Sequence, residues 1–155
     1  MTNDDNARRA ACRGPEQAYD RALREGPSDE TRAAARGRPE WAYLYAHNVD
    51  RGPRDDTRAA VGGKPKWAYH YARDVDGLTP VFVGRAGGHK IQVIPGLPIV
   101  NVGCQYHTLK VWQETWESLA DRHGVSITAA RVAELLTAAE EAVGEITYPL
   151  PNPRD

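Results

Sequence analysis

Residues 26–51 and 52–77 are two copies of one 26-residue pattern, and that repeat constrains the fold more than any other feature of the chain. Gly26–Arg51 reads GPSDETRAAARGRPEWAYLYAHNVDR and Gly52–Gly77 reads GPRDDTRAAVGGKPKWAYHYARDVDG, identical at 16 of 26 positions. A degenerate half-unit precedes them, with Pro15–Tyr19 aligning on Pro39–Tyr43. A chain that repeats at this period builds one small unit again and again, and each unit buries its apolar face against its neighbours.

Each copy reads as two short helices. Ser28 or Asp29, and Asp55 in the second copy, are placed to cap a helix through Thr31–Ala34 and Thr57–Ala60. Gly37 and Gly63 then stand where a left-handed terminator is expected. Pro39 and Pro65 follow at a first helical position, where the missing N–H costs nothing. Ala42, Tyr45, Ala46 and Val49 recur at helical spacing and form the predicted buried stripe, bordered by Trp41. Tyr43 lies about 100° from Ala42 around the helix. The same offset at Tyr19 and Tyr69 predicts a row of three tyrosines, the candidate binding residues for a partner. Trp41 and Trp67 are expected at equivalent, buried places.

Residues 78–105 change character. Pro80–Gly84, His89–Ile94 and Ile99–Gly103 are apolar or alternating, separated by Ala86-Gly87-Gly88 and Pro95-Gly96-Leu97-Pro98. This predicts a three-stranded antiparallel meander. Thr108 caps a helix ending at His123-Gly124, and Ser126 is expected to cap a last helix striped by Val132, Leu135, Leu136, Ala139 and Val143. The expected fold is α+β: a half-repeat over 1–25, two repeats over 26–77, a small three-stranded unit with a helical hairpin over 78–147, and an extended tail over 148–155.

Composition bears on function. Nine Leu, five Ile, twelve Val and one Phe are few for 155 residues, and residues 1–77 hold only Leu23, Leu44, Val49, Val61 and Val75 of them. The N-terminal half must therefore pack through Ala, Trp and Tyr. A net charge of −1 offers no broad attraction to nucleic acid or anionic lipid. No apolar run approaches the length of a membrane span, and two cysteines without an apolar leader lead to the expectation of a reduced, cytoplasmic protein.

The string P-x-W-A-Y-x-Y-A-x-x-V, present at Pro39–Val49 and Pro65–Val75, resembles a short helical repeat of uncharacterised phage and bacterial proteins. The segment Val102–Thr108, followed by Trp112, is similar to a G-C-x-x-x-T strand-to-helix junction in proteins of the same kind. The resemblance implies a phage-related origin and brings no activity, cofactor or site residue with it.

Three constellations bear on chemistry. Cys104, at a strand end before a helix N-terminus and three residues from His107, is the place where a thiolate and base would sit. Against this, strand alternation puts Cys104 on the face of Val100 and Val102, which predicts a buried, inert thiol. A metal set would draw on Cys104, His107 and His123 with His89 or Cys12, but only one side shows the tight ligand spacing of a zinc site. Residues 119–136 carry the spacing of a helix-turn-helix, yet the second helix offers Arg131 beside Glu134, Glu140 and Glu141, a poor surface for phosphates. No catalytic residue, metal or cofactor is assigned. The favoured reading is an interaction module that binds another protein or its own copies; a DNA-binding regulator and a thiol enzyme are the alternatives.

Overall fold

A computed structural model describes residues 14–149. The chain divides into two compact units between Gly77 and Leu78. The first is all helical. It contains α1 (Pro15–Glu25), α2 (Asp29–Ala35), α3 (Pro39–Tyr45), α4 (Asp55–Val61) and α5 (Pro65–Asp74), and α3 runs on into a wider π-helical turn over Ala46–Asp50.

Three of these helices have seven residues, too few to persist alone in water. What holds each pair is one network, built twice. In the first copy the fully buried Tyr45 places its hydroxyl 2.7 Å from Thr31 Oγ1 and accepts from the Ser28 N–H at 3.0 Å. In the second, Tyr71 does the same with Thr57 at 2.8 Å and the Arg54 N–H at 3.0 Å. Arg32 then reaches across the pair, donating through Nε and Nη2 to both oxygens of Asp50 at 2.9 and 2.6 Å. Arg58 meets Asp76 in the same two-pronged way at 3.2 and 2.6 Å. Each guanidinium also sits over its tyrosine ring, 5.6 Å from the Tyr45 centroid and 5.8 Å from that of Tyr71. Asp29 and Asp55 take the remaining Nη1 at 2.8 Å. Fully or almost fully buried Ala18, Ala35, Ala42, Ala46, Ala68 and Ala72 let the helices approach closely enough for these bonds to close.

Several local expectations change. Ser28 does cap α2, accepting from the Thr31 N–H, and Pro15, Pro39 and Pro65 do open their helices. Asp55 is not a cap; it lies in the first turn of α4, where its carboxylate serves Arg58. Gly37 and Gly63 are not left-handed, because the chain passes from one helix of a unit to the next through short turns that need no reversal, such as Gly37 N–H to the Ala34 carbonyl. The left-handed residues come at the ends of the second helices: Arg51 with φ 55° and, 26 positions on, Gly77 with φ 74°. A side chain in that conformation costs roughly 1–2 kcal/mol.

The second unit is an antiparallel sheet covered by two helices. Its strands are β1 (Val81–Ala86), β2 (His89–Val93), β3 (Ile99–Val102) and β4 (Gln105–Thr108), in the order β1-β2-β3-β4. The sheet therefore has four strands, and the three-stranded expectation is corrected. The missed strand is Gln105–Thr108, which pairs along all of β3 from Val102↔Gln105 to Ile99↔Thr108. It is short and polar, and it gains its place from a two-residue turn. Gly103 supplies φ 59°, and the buried Asn101 braces the turn by donating to the Gly103 and Gln105 carbonyls. Gly87-Gly88, both with positive φ, make the equivalent β1–β2 turn.

Thr108 caps α6 (Leu109–Arg122), as expected. The last helix, α7 (Ala129–Val143), is capped by Thr128 and not by Ser126, so the connection runs two residues further before the helix begins. The core lies between sheet and helices, with Ile91, Val93 and Val100 beneath Trp112, Leu119, Leu135, Ala139 and Val143. Gly84 gives Leu135 room where α7 crosses β1, since a Cβ there would stand 2.8 Å from Leu135 Cδ2 and the leucine would have to shift.

The buried pair in the first copy is the more enclosed, with side-chain exposures of 8% for Arg32 and 7% for Asp50 against 15% and 12% for Arg58 and Asp76. Removing one partner strands a charge away from water. Asp50→Ala is expected to cost about 3–5 kcal/mol in urea unfolding. Asp76→Ala should cost measurably less, and equal losses would contradict the assignment.

Candidate functional site

The tyrosine row resolves into two equivalent joints and one interior ring. Tyr19 of α1 packs against Trp41 with centroids 5.5 Å apart, and Tyr43 of α3 packs against Trp67 at 5.6 Å. The Tyr19 hydroxyl accepts from Asn48 Nδ2 at 2.9 Å, and the Tyr43 hydroxyl donates to Asp74 at 2.6 Å. Asn48 and Asp74 are 26 positions apart, so both rings close the same seam. Burial and the bond to Asp74 push the Tyr43 phenol up to about 12. Bonds from Arg73 hold the Asp74 carboxyl below its ordinary value. Tyr69 is 1% exposed, so its ring offers no surface. Trp41 and Trp67 are equivalent, as expected, but half-buried.

Cys104 is not buried. It occupies the β3–β4 turn and is exposed, because the chain reverses at Gly103 before alternation can carry Cys104 into the core. Its Sγ accepts from Gln105 Nε2 at 3.7 Å. His107 lies on β4, edge-on to Trp112 with centroids 5.1 Å apart, and its buried Nε2 has no hydrogen-bond partner among the described residues. No bond joins His107 to Cys104, so the structure does not assemble the thiol–base pair. Among the described residues no three His, Cys, Asp or Glu side chains are grouped to hold a metal; Cys12 lies outside them. Across 119–136, residues 123–128 separate the two helices, longer than the three- or four-residue turn of a helix-turn-helix. The exposed Arg131 is paired with Glu134 at 3.1 Å.

The surface that calls for an explanation is at the edge of the sheet, which composition and pattern did not single out. β1 is outermost, and no described strand pairs with its free side. Leu78, Val81 and Phe82 are 36%, 41% and 55% exposed, a run of large apolar side chains within five residues. The β1–β2 register slips between Phe82 and Gly84, so a bulge at Val83 ends this regular stretch. Arg85 covers one side of the Phe82 ring at 6.0 Å. The signal available in the sequence was the run Leu78–Val83, legible as a strand but not as an edge.

Comparison with family models, with curated proteins and with solved structures gives no match. No helix among the described residues is long and apolar enough to cross a membrane.

Burial, reinforced by the nearby charges of His123 and Arg122, lowers the pKa of His107 from its ordinary 6.5. The unfolded chain therefore takes up a proton near pH 6.5 that the folded protein refuses until lower pH, and stability falls as pH drops through that window. His107→Phe keeps a ring against Trp112 and is expected to flatten the loss of stability between pH 7.5 and 5.5. An unchanged slope would show that His107 does not carry it.

Proposed function

We propose that this chain is a non-enzymatic assembly module whose copies join edge to edge through β1. The observation that supports it is the exposed Val81 and Phe82 on an unpaired sheet edge, with exposed Leu78 just ahead of the strand. An edge strand presents free N–H and C=O groups, and natural proteins usually guard it with charge, brevity or cover. Here Pro80 and the bulge at Val83 also guard the edge, but the stretch before the bulge carries no charged side chain. Strand addition would satisfy the backbone groups, and burial of the apolar side chains would supply the affinity.

A second copy fits this edge. Two β1 strands related by a two-fold axis run antiparallel, residue i of one facing residue j of the other and j facing i, so one patch serves both partners. The net charge of −1 sets up little repulsion between copies. The bulge confines pairing to the residues before it, and the sheet's other outer strand, β4, is short and polar, so it offers no second apolar edge. The helical repeats, in this reading, are a stiff body carried by the assembly. Their resemblance to repeats of uncharacterised phage and bacterial proteins is what supports reading the chain as phage-related.

Light scattering over a concentration series tests the reading. The mass should rise from 17.1 kDa toward twice that value, whereas Phe82→Lys should remain monomeric with unchanged melting. A wild-type chain that stays monomeric at millimolar concentration would rule the edge contact out.

A further inference from the structure

The helices of the second unit do not close over the sheet completely. Between them lies a cavity of about 200 Å³, with Ile91, Val100, Trp112, Leu119, Leu135 and Leu136 among its walls. An apolar cavity of about 150 Å³ is already large enough to take up benzene. Trp112, Leu119 and Val132, which line it, each keep 8–9% exposure, and the cavity is partly open to solvent.

The polar part of its lining gathers at one end of the sheet. In an antiparallel meander the β1–β2 and β3–β4 turns fall at the same end of the sheet, and α6, which starts directly after β4, runs back to it. His89 opens β2, Gln105 opens β4 and His123 follows the last turn of α6, so all three reach one rim. Each brings an N–H donor. No Asp or Glu lines the cavity. Arg122, beside His123, adds a positive charge that is felt as far as His107 and offsets the negative end of α6.

We propose that this cavity binds a small monocarboxylic acid carrying one aromatic ring or a short hydrocarbon chain, with the hydrocarbon inside and the carboxylate at the rim against His89, Gln105 and His123. The walls exclude a polar body, the volume excludes a long chain, and a rim of donors without acids favours an anion over a neutral head. Cys104 stands at the same rim, and its thiol becomes less accessible when the site is filled.

The test uses the full chain with Cys12→Ser, so that Cys104 alone reports. Benzoate and hexanoate are titrated with amide NMR and with the rate of Cys104 alkylation as readouts, and benzyl alcohol serves as a neutral probe of similar size. Both acids should shift the amides around Val100, Gln105 and Leu119 and slow alkylation. Benzyl alcohol should bind about tenfold more weakly, the worth of a charge-assisted hydrogen bond. Ala120→Phe, which fills the cavity from α6, should abolish binding. His89→Ala with His123→Ala, both at exposed positions and both removing the ring N–H, should weaken benzoate and leave benzyl alcohol unchanged. The proposal is overturned by no binding of either acid at millimolar concentration. It is equally overturned by benzyl alcohol binding as tightly as benzoate, or by benzoate affinity that ignores the rim substitutions.

Discussion

Everything in the helical unit depends on a buried hydroxyl pair and the arginine that spans it. Thr31 with Tyr45, and Thr57 with Tyr71, join two helices too short to stand alone, and the bond sits where water cannot compete. Such a pair is demanding as well as stabilising, because either hydroxyl left alone would be a buried polar group without a partner. Arg32 and Arg58 add the charge-assisted half of the clamp, and the bond to Asp50 raises the Arg32 guanidinium further above its ordinary value. Thr, Arg, Tyr and Asp recur between the copies because each is one end of these bonds. Trp41 and Trp67 recur because each closes a seam, with Tyr19 and with Tyr43 of the preceding unit.

This account explains what could be read from the sequence. The repeat, its helix-opening prolines, the Ser28 and Thr108 caps and the Gly87-Gly88 turn are local events, fixed by residues a few positions apart, and all were legible. β4 was not, because Gln105–Thr108 has no apolar alternation and exists through pairing with β3. Missing it also misplaced Cys104, which alternation carried into the core and the Gly103 turn puts outside. The left-handed positions were assigned to Gly37 and Gly63 on residue type alone. The structure needs them where each second helix ends, and one of them is an arginine. Which tyrosine rings face outward depends on the stacking of units, so the interior place of Tyr69 has no local signal.

The two units use their apolar surface differently. The helical unit leaves one large hydrophobic side chain exposed among its described residues, Leu23, since its rings and alanines are spent on seams. The sheet unit keeps both an exposed apolar edge and an open cavity, and both lie on elements whose packing is incomplete. The proposed function therefore lies in the sheet unit, while Asp29, Thr31, Arg32, Tyr45 and Asp50 recur with their counterparts because they fold the repeat.

The central claim is that the threonine–tyrosine pair is the clamp of each repeat. Double-mutant cycles on Thr31→Val with Tyr45→Phe, and on Thr57→Val with Tyr71→Phe, measure it by urea unfolding. The account predicts a coupling of about 1–2 kcal/mol in each copy, alike in the two because the geometry is alike. Couplings near zero would show that the helices are held by packing alone and contradict it.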